Sequence, residues 1–347
     1  MASTFGRLTG TAGVAVVTRG PGLTSAANGL AQATLDRFPL LLLADGVPHA
    51  EAHRTAHQRL DQVRMAAPLA KKSAVLGFRE PSAAVAGLDP VEPVPGPWPY
   101  QADVILLHRH PVETSYFGER ARTLTGEYRD GLLPLLEHLH SSWPPGTGAK
   151  VRASAQRALE DGAAGFRPQD VIHTVRGVAG DVTVTVDAGA HMLVAMALWH
   201  TDHPGRVLIS NGLATMGFAL PAAVGAALAG PSSAVICLAG DGGLGMVLAE
   251  LETLARLDLD VTVVVFNDST LTLIELKQPP GADPGAVAYC GTDFAAVARA
   301  MGVPAATATT AEQLHDQLTG LRRGPFLVDA RIDRRPYRHV LRAIRGR

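Results

Sequence analysis

Residues 234–270, AVICLAGDGGLGMVLAELETLARLDLDVTVVVFNDST, decide the fold. Residues 234–239 are a short apolar run closed by glycine, which reads as a buried strand. Gly240-Asp241-Gly242-Gly243 breaks that run. Leu244, Leu248, Leu251 and Ala255 then recur at i, i+4, i+7 and i+11, which predicts one amphipathic helix. Residues 261–266 read as a second buried strand, ending on Asn267-Asp268. Strand, helix and strand make a βαβ unit whose loops share the sheet edge where open α/β folds bind ligands. The expected fold class is α/β, with doubly wound parallel sheets and helices on both faces.

Two ligands suit the glycine turn. Gly240, Gly242 and Gly245 fit G-x-G-x-x-G, the mark of a dinucleotide site and an NAD-dependent oxidoreductase. Asp241 opposes that reading, because its carboxylate would stand where a bare pyrophosphate meets backbone N–H groups. A divalent cation between carboxylate and phosphate removes the objection. Magnesium is commonly held by one or two carboxylates plus phosphate oxygens, and Asp268 supplies the second carboxylate. On the residues alone both readings stay open.

The GDG turn, followed 27 residues later by Asp268, resembles the thiamine-diphosphate motif of the acetolactate synthase and pyruvate decarboxylase superfamily. The resemblance implies that thiamine diphosphate and Mg2+ bind here. The metal ligands carry over to Asp241, Asp268 and the main-chain oxygen of Thr270. The family pair is usually Asn-Asn and here is Asn267-Asp268, so the site carries one extra negative charge. Met216, 25 residues before Asp241, matches the bulky apolar residue that bends the cofactor into a V. The carbonyl of Ala214 then accepts a hydrogen bond from the cofactor's amino group. The turn Asp187-Ala188-Gly189-Ala190-His191 is expected to touch the diphosphate, its histidine in particular, beside Gly240, Gly242 and Gly243. Leu271 opens the segment 271–278, expected to line the cofactor and substrate cleft.

Composition agrees with this class. With 347 residues, 47% hydrophobic content and a net charge of −1, two compact domains fit and no general attraction to nucleic acid is expected. No apolar run approaches the roughly 20 residues needed to cross a bilayer, and residues 1–10 do not read as a signal peptide. Cys237 and Cys290 build no disulfide or zinc framework, and Cys237 reads as inert core. The expected location is the cytoplasm.

Taken in order, residues 1–80 read as a partial N-terminal domain, 81–148 as a remnant of a central domain with its linker, and 149–347 as a complete diphosphate-binding domain. Residues 13–18 and 40–44 predict strands, and Thr24 an N-cap for a helix to Leu35. The segment resembles the second half of the family's pyrimidine-binding domain, whose Gly20-Pro21-Gly22 turn shapes the site from a partner subunit. His49, His53 and His57 fall on one helical face, where a solvated surface outweighs a metal site. Gln58 matches a glutamine near the family's substrate. Residues 91–100 read as extended loop, 102–107 as a strand ahead of His108-Arg109-His110, and 131–140 as a short helix. Residues 281–289 predict a mobile loop, and the arginine-rich tail a solvated end.

The family also needs a glutamate that activates the cofactor. It belongs upstream of Met1, Glu51 and Glu80 lie in other segments, and no catalytic residue carries over. The implied activity is decarboxylation of a 2-keto acid such as pyruvate, or joining of the resulting unit to a second carbonyl, in a homodimer or tetramer. The alternative is a catalytically silent cofactor-binding protein.

Overall fold

The computed structural model describes residues 1–46, 58, 60–73, 144–160, 165–230, 233–279, 281–319 and 323–345, and the backbone alone of 104–108 and 121–125. Contacts divide the chain into Met1–Ser73 with Ala153–Arg347, and Ala74–Arg152. Within the second unit, β3 (Val104–His108) pairs in parallel with β4 (Ala121–Thr125). The expected histidine face at 49, 53 and 57, the loop 91–100 and the helix 131–140 lie outside the described residues.

The first unit is built on a six-stranded parallel sheet. Its strands are β5 (Thr183–Val186), β6 (Val207–Ile209), β7 (Val235–Gly240), β8 (Val261–Asn267), β9 (Ala305–Ala308) and β10 (Phe326–Arg331). They lie in the order β6-β5-β7-β8-β10-β9. Both faces are covered, so the strands read as continuous apolar runs. Alternate residues serve opposite faces: Ile236, Leu238, Val264 and Phe266 join one core, while Val235, Cys237, Val263 and Val265 join the other. Helices Pro168–Ala179, Ala190–Leu198 and Ala311–Thr319 cover the first face; Ala219–Ala229, Glu250–Leu257 and Phe294–Ala300 cover the second. Cys237 is fully buried, and burial pushes its thiol far above the ordinary range. Among the described residues no helix is long and apolar enough to cross a membrane.

Residues 1–46 form helix Ala2–Thr9, β1 (Gly13–Val17), helix Pro21–Leu35 and β2 (Leu40–Ala44), with β1 and β2 parallel. Met1 and Phe38 pack against the second core. Asp36 and Asn28 reach the loop after β6: Gly212 donates to Asp36 Oδ1 at 2.5 Å, and Thr215 Oγ1 meets Asn28 Oδ1 at 2.6 Å. The N-terminal segment thus touches the Met216 loop within one chain.

Three expectations change. The helix after β1 starts at Pro21 rather than beyond Thr24, because proline at the first helical position is already set to helical φ. The single helix after the GDG turn is two pieces, Asp241–Gly245 and Glu250–Leu257. Gly242, Gly243 and Gly245 weaken the helix, and Val247 and Glu250 donate three residues back, to Leu244 and Val247. Residues 281–289 are tied down: Leu271 donates to Val287 at 2.9 Å and Tyr289 to Ser269 at 3.1 Å.

A histidine is buried with this sheet. The His191 ring is 3% exposed and stacks on Phe266 at 5.3 Å. It hydrogen-bonds the Asp187 main chain, while Nε2 has no partner. Burial lowers its pKa from 6.5 to about 4. The unfolded chain takes up that proton first, so this contribution to stability is whole above pH 6.5 and is lost as pH falls toward 4. Between about pH 7.5 and pH 5, wild type should lose about 2 kcal/mol more stability than His191→Phe. Parallel urea titrations at the two pH values check this, and equal losses would contradict it. Leu251, fully buried, should cost about 3 kcal/mol when changed to Ala, read as a lower urea midpoint.

Candidate functional site

The chain leaves β5 toward β6 on one side and returns to β7 on the other, so the strand order reverses between β5 and β7. Loops diverge there at the carboxyl ends of the strands and leave a crevice. Three candidate turns lie side by side around it: Asp187–His191 after β5, Gly240–Gly243 at β7, and Asp268–Leu271 after β8.

Asp241 and Asp268 meet across the β7 and β8 ends. The Asp241 carboxylate accepts from Gly242 N–H at 2.7 Å, Asp268 N–H at 3.0 Å and Ser269 N–H at 2.6 Å. Tyr289 adds a side-chain hydrogen bond. Asp268 accepts from Thr270 N–H at 3.1 Å and the Thr272 hydroxyl at 2.7 Å. Burial raises both carboxyls. Asp268 is pushed up to about 7, by burial first and then by the charge of Asp241. Asn267 serves the fold instead: its Nδ2 donates to buried Asp329 at 2.8 Å and to the Thr292 carbonyl at 3.0 Å.

The apolar candidates converge on Gly242. A Cβ there would stand 2.6 Å from Leu271 Cδ2, 3.2 Å from the Tyr289 hydroxyl and 3.4 Å from Met216 Cε. Only glycine fits. Met216 follows Ala214, which holds a left-handed φ of 53°, a conformation that costs an alanine roughly 1–2 kcal/mol. Such strain persists where the surroundings fix it, here through Thr215 on Ser210 and Asn28.

Asp187 locks this loop to the sheet. Its buried carboxylate accepts from Ala188, Gly217 and Phe218 N–H groups, each at 3.0 Å. Burial nevertheless raises it to about 6. A side chain on Gly243 would strike the same carboxylate. Ala188 and Ala190 keep to the turn after β5, while the His191 ring lies under Gly189 and Gly240. Gln58 lies with its backbone against Gly20, in the turn that precedes the helix Pro21–Leu35.

Sequence reading did not select Tyr289 or Arg334, which donates to Thr270 Oγ1 at 3.1 Å. Asp187 entered with its turn, directly after a strand on the ligand edge, which is a usable sign. Tyr289 and Arg334 lie in segments without periodicity and gave none.

The donor set fits magnesium. Two carboxylates of like charge, Asp241 buried and Asp268 half-buried with its pKa pushed up to about 7, are relieved by a cation between them. Among the described residues no group of three or more His, Cys, Asp or Glu could hold a metal. The remaining donors would be a main-chain oxygen such as that of Thr270, phosphate and water, which is magnesium's usual company. The same carboxylate occupies the Gly242 N–H, so the turn is not arranged for a bare pyrophosphate.

Comparison with known proteins agrees with this geometry. The C-terminal TPP-binding domain of thiamine pyrophosphate enzymes matches residues 187–330, and their N-terminal TPP-binding domain matches residues 1–65. An acetolactate synthase of Bacillus subtilis (strain 168) is 33% identical over 170 residues, 48% of this chain and 30% of the relative. The acetolactate synthase isozyme 1 large subunit of Escherichia coli (strain K12) is 34% identical over 161 residues, 45% and 29% of the two chains. For the isozyme 3 large subunit of the same organism the figures are 41% over 114 residues, 33% and 20%. The chain therefore spans less than a third of the length of these relatives. With both domains matched and the three site turns all inside the C-terminal match, the chain belongs to the thiamine pyrophosphate enzyme family and is acetolactate synthase-like.

Proposed function

We propose that this chain binds thiamine diphosphate with Mg2+ and acts on a 2-keto acid such as pyruvate, decarboxylating it or joining the product unit to a second carbonyl. The observation that carries the reading is the meeting of Asp241 and Asp268 on adjacent strand ends, with Met216 and Leu271 converging on Gly242 beside them. When bound, the cofactor supplies a carbon nucleophile and an electron sink for the decarboxylation. The protein holds and orients. Asp241, Asp268 and the Thr270 carbonyl would hold the metal, and main-chain groups of Ala188, Gly189 and Ala190 with His191 would lie toward the diphosphate. Gly240, Gly242 and Gly243 let His191, the Leu271 and Met216 side chains, and Asp187 pack close against the turn. Met216 and Leu271 would exclude water and fix the bend of the cofactor, and the strained Ala214 would offer its carbonyl to the amino group.

A homodimer or tetramer and a cytoplasmic setting belong to the same proposal.

Calorimetric titration should detect thiamine diphosphate binding only when Mg2+ is present, and Asp241→Ala should weaken it by about a hundredfold or more, as for loss of a metal-held contact. Undiminished binding by Asp241→Ala, or saturable binding of NAD, would falsify the cofactor assignment. Pyruvate consumption by the loaded protein then separates turnover from silent binding.

A further inference from the structure

The arginine-rich tail sends one side chain back to the candidate site. Ile332 donates its N–H to the Asn267 carbonyl at 3.0 Å, which lays the chain beyond β10 along the end of β8. Arg334 then reaches Thr270: Nη1 donates to Thr270 Oγ1 at 3.1 Å, and Nη2 meets Glu275 Oε1 at 3.3 Å. Thr270 N–H holds Asp268 Oδ1, and Asp268 N–H holds Asp241 Oδ2. A hydrogen-bonded line therefore runs from the guanidinium to both carboxylates. Glu275 braces the head group, and the positive field of Arg334 reaches Asp268.

We propose that Arg334 is a positioning and charge-matching residue for the anionic magnesium–diphosphate group, fixing Thr270 and offsetting the extra negative charge that Asp268 brings in place of an asparagine. The proposal rests on the cofactor reading above. It has a consequence that mere structural support lacks. A guanidinium attracts the anionic group but repels a bare divalent cation, so its removal weakens cofactor binding without weakening that of the bare cation. Loss of local structure weakens both together.

The test compares wild type, Arg334→Gln, Arg334→Lys and the double variant Asp268→Asn/Arg334→Gln. Thiamine diphosphate is titrated with Mg2+ by calorimetry, and Mn2+ alone is titrated by electron paramagnetic resonance. Arg334→Gln should bind the cofactor about tenfold more weakly, the order expected for one partly screened charge, while its Mn2+ affinity stays equal or rises. Arg334→Lys should stay near wild type, and the double variant should regain much of the loss. Wild-type cofactor affinity in Arg334→Gln, an equal loss in Arg334→Lys, or a parallel fall in Mn2+ affinity would overturn the proposal. Failure of wild type itself to bind cofactor with Mg2+ defeats the underlying reading as well, and that outcome is distinct from the other three.

Discussion

Two carboxylates taken out of water side by side are the constraint on which the candidate site depends. Each ionised group wants solvent or a counter-charge, and Asp241 and Asp268 have little of the first. Backbone N–H groups of Gly242, Asp268, Ser269 and Thr270 meet part of the need. Each of those bonds also fixes the path of a loop. A cation meets the rest, and the same juxtaposition that costs free energy without metal creates affinity for one. The neighbouring architecture keeps the pair from drifting apart: Asn267 and Asp329 anchor the end of β8, and Tyr289 brings the 281–289 segment against Asp241.

Sheet topology sets the pair next to the point where the strand order reverses. The reversal of strand order between β5 and β7 sends neighbouring loops to opposite faces. Asp187 spans that divergence. By accepting from Gly217 and Phe218 it draws the Met216 loop over the β5 end, and by filling the space above Gly243 it demands a residue without a side chain there. Glycines 242 and 243 thus answer different neighbours, one the apolar cluster of Met216 and Leu271, the other a buried carboxylate.

Much of this was legible in the sequence because the signals are local. β7 and β8 announce themselves as continuous apolar runs, and Asp241 and Asp268 mark the two strand ends that follow from them. The helix between was misread because regular leucines outweighed three glycines, whose effect is to turn the chain between Gly245 and Glu250. Thr24 misled in the same way, since a good capping residue stood close to a proline that starts the helix earlier. Tyr289 and Arg334 were illegible for another reason. They reach the site through long-range hydrogen bonds, from Tyr289 to Ser269 and from Ile332 to Asn267, and neither composition nor periodicity encodes such pairings. His191 was legible as a turn residue, but the depth of its burial against Phe266 depends on packing between β5, β7 and β8.

The most direct measurement is anomalous diffraction from crystals grown with Mn2+ and thiamine diphosphate. The expected result is one manganese peak within coordination distance of Asp241, Asp268 and the Thr270 carbonyl, close to the roughly 2.0–2.1 Å of the magnesium it replaces, with the diphosphate completing its shell. A cofactor seated elsewhere, or a metal that leaves either carboxylate unbound, would contradict the assignment.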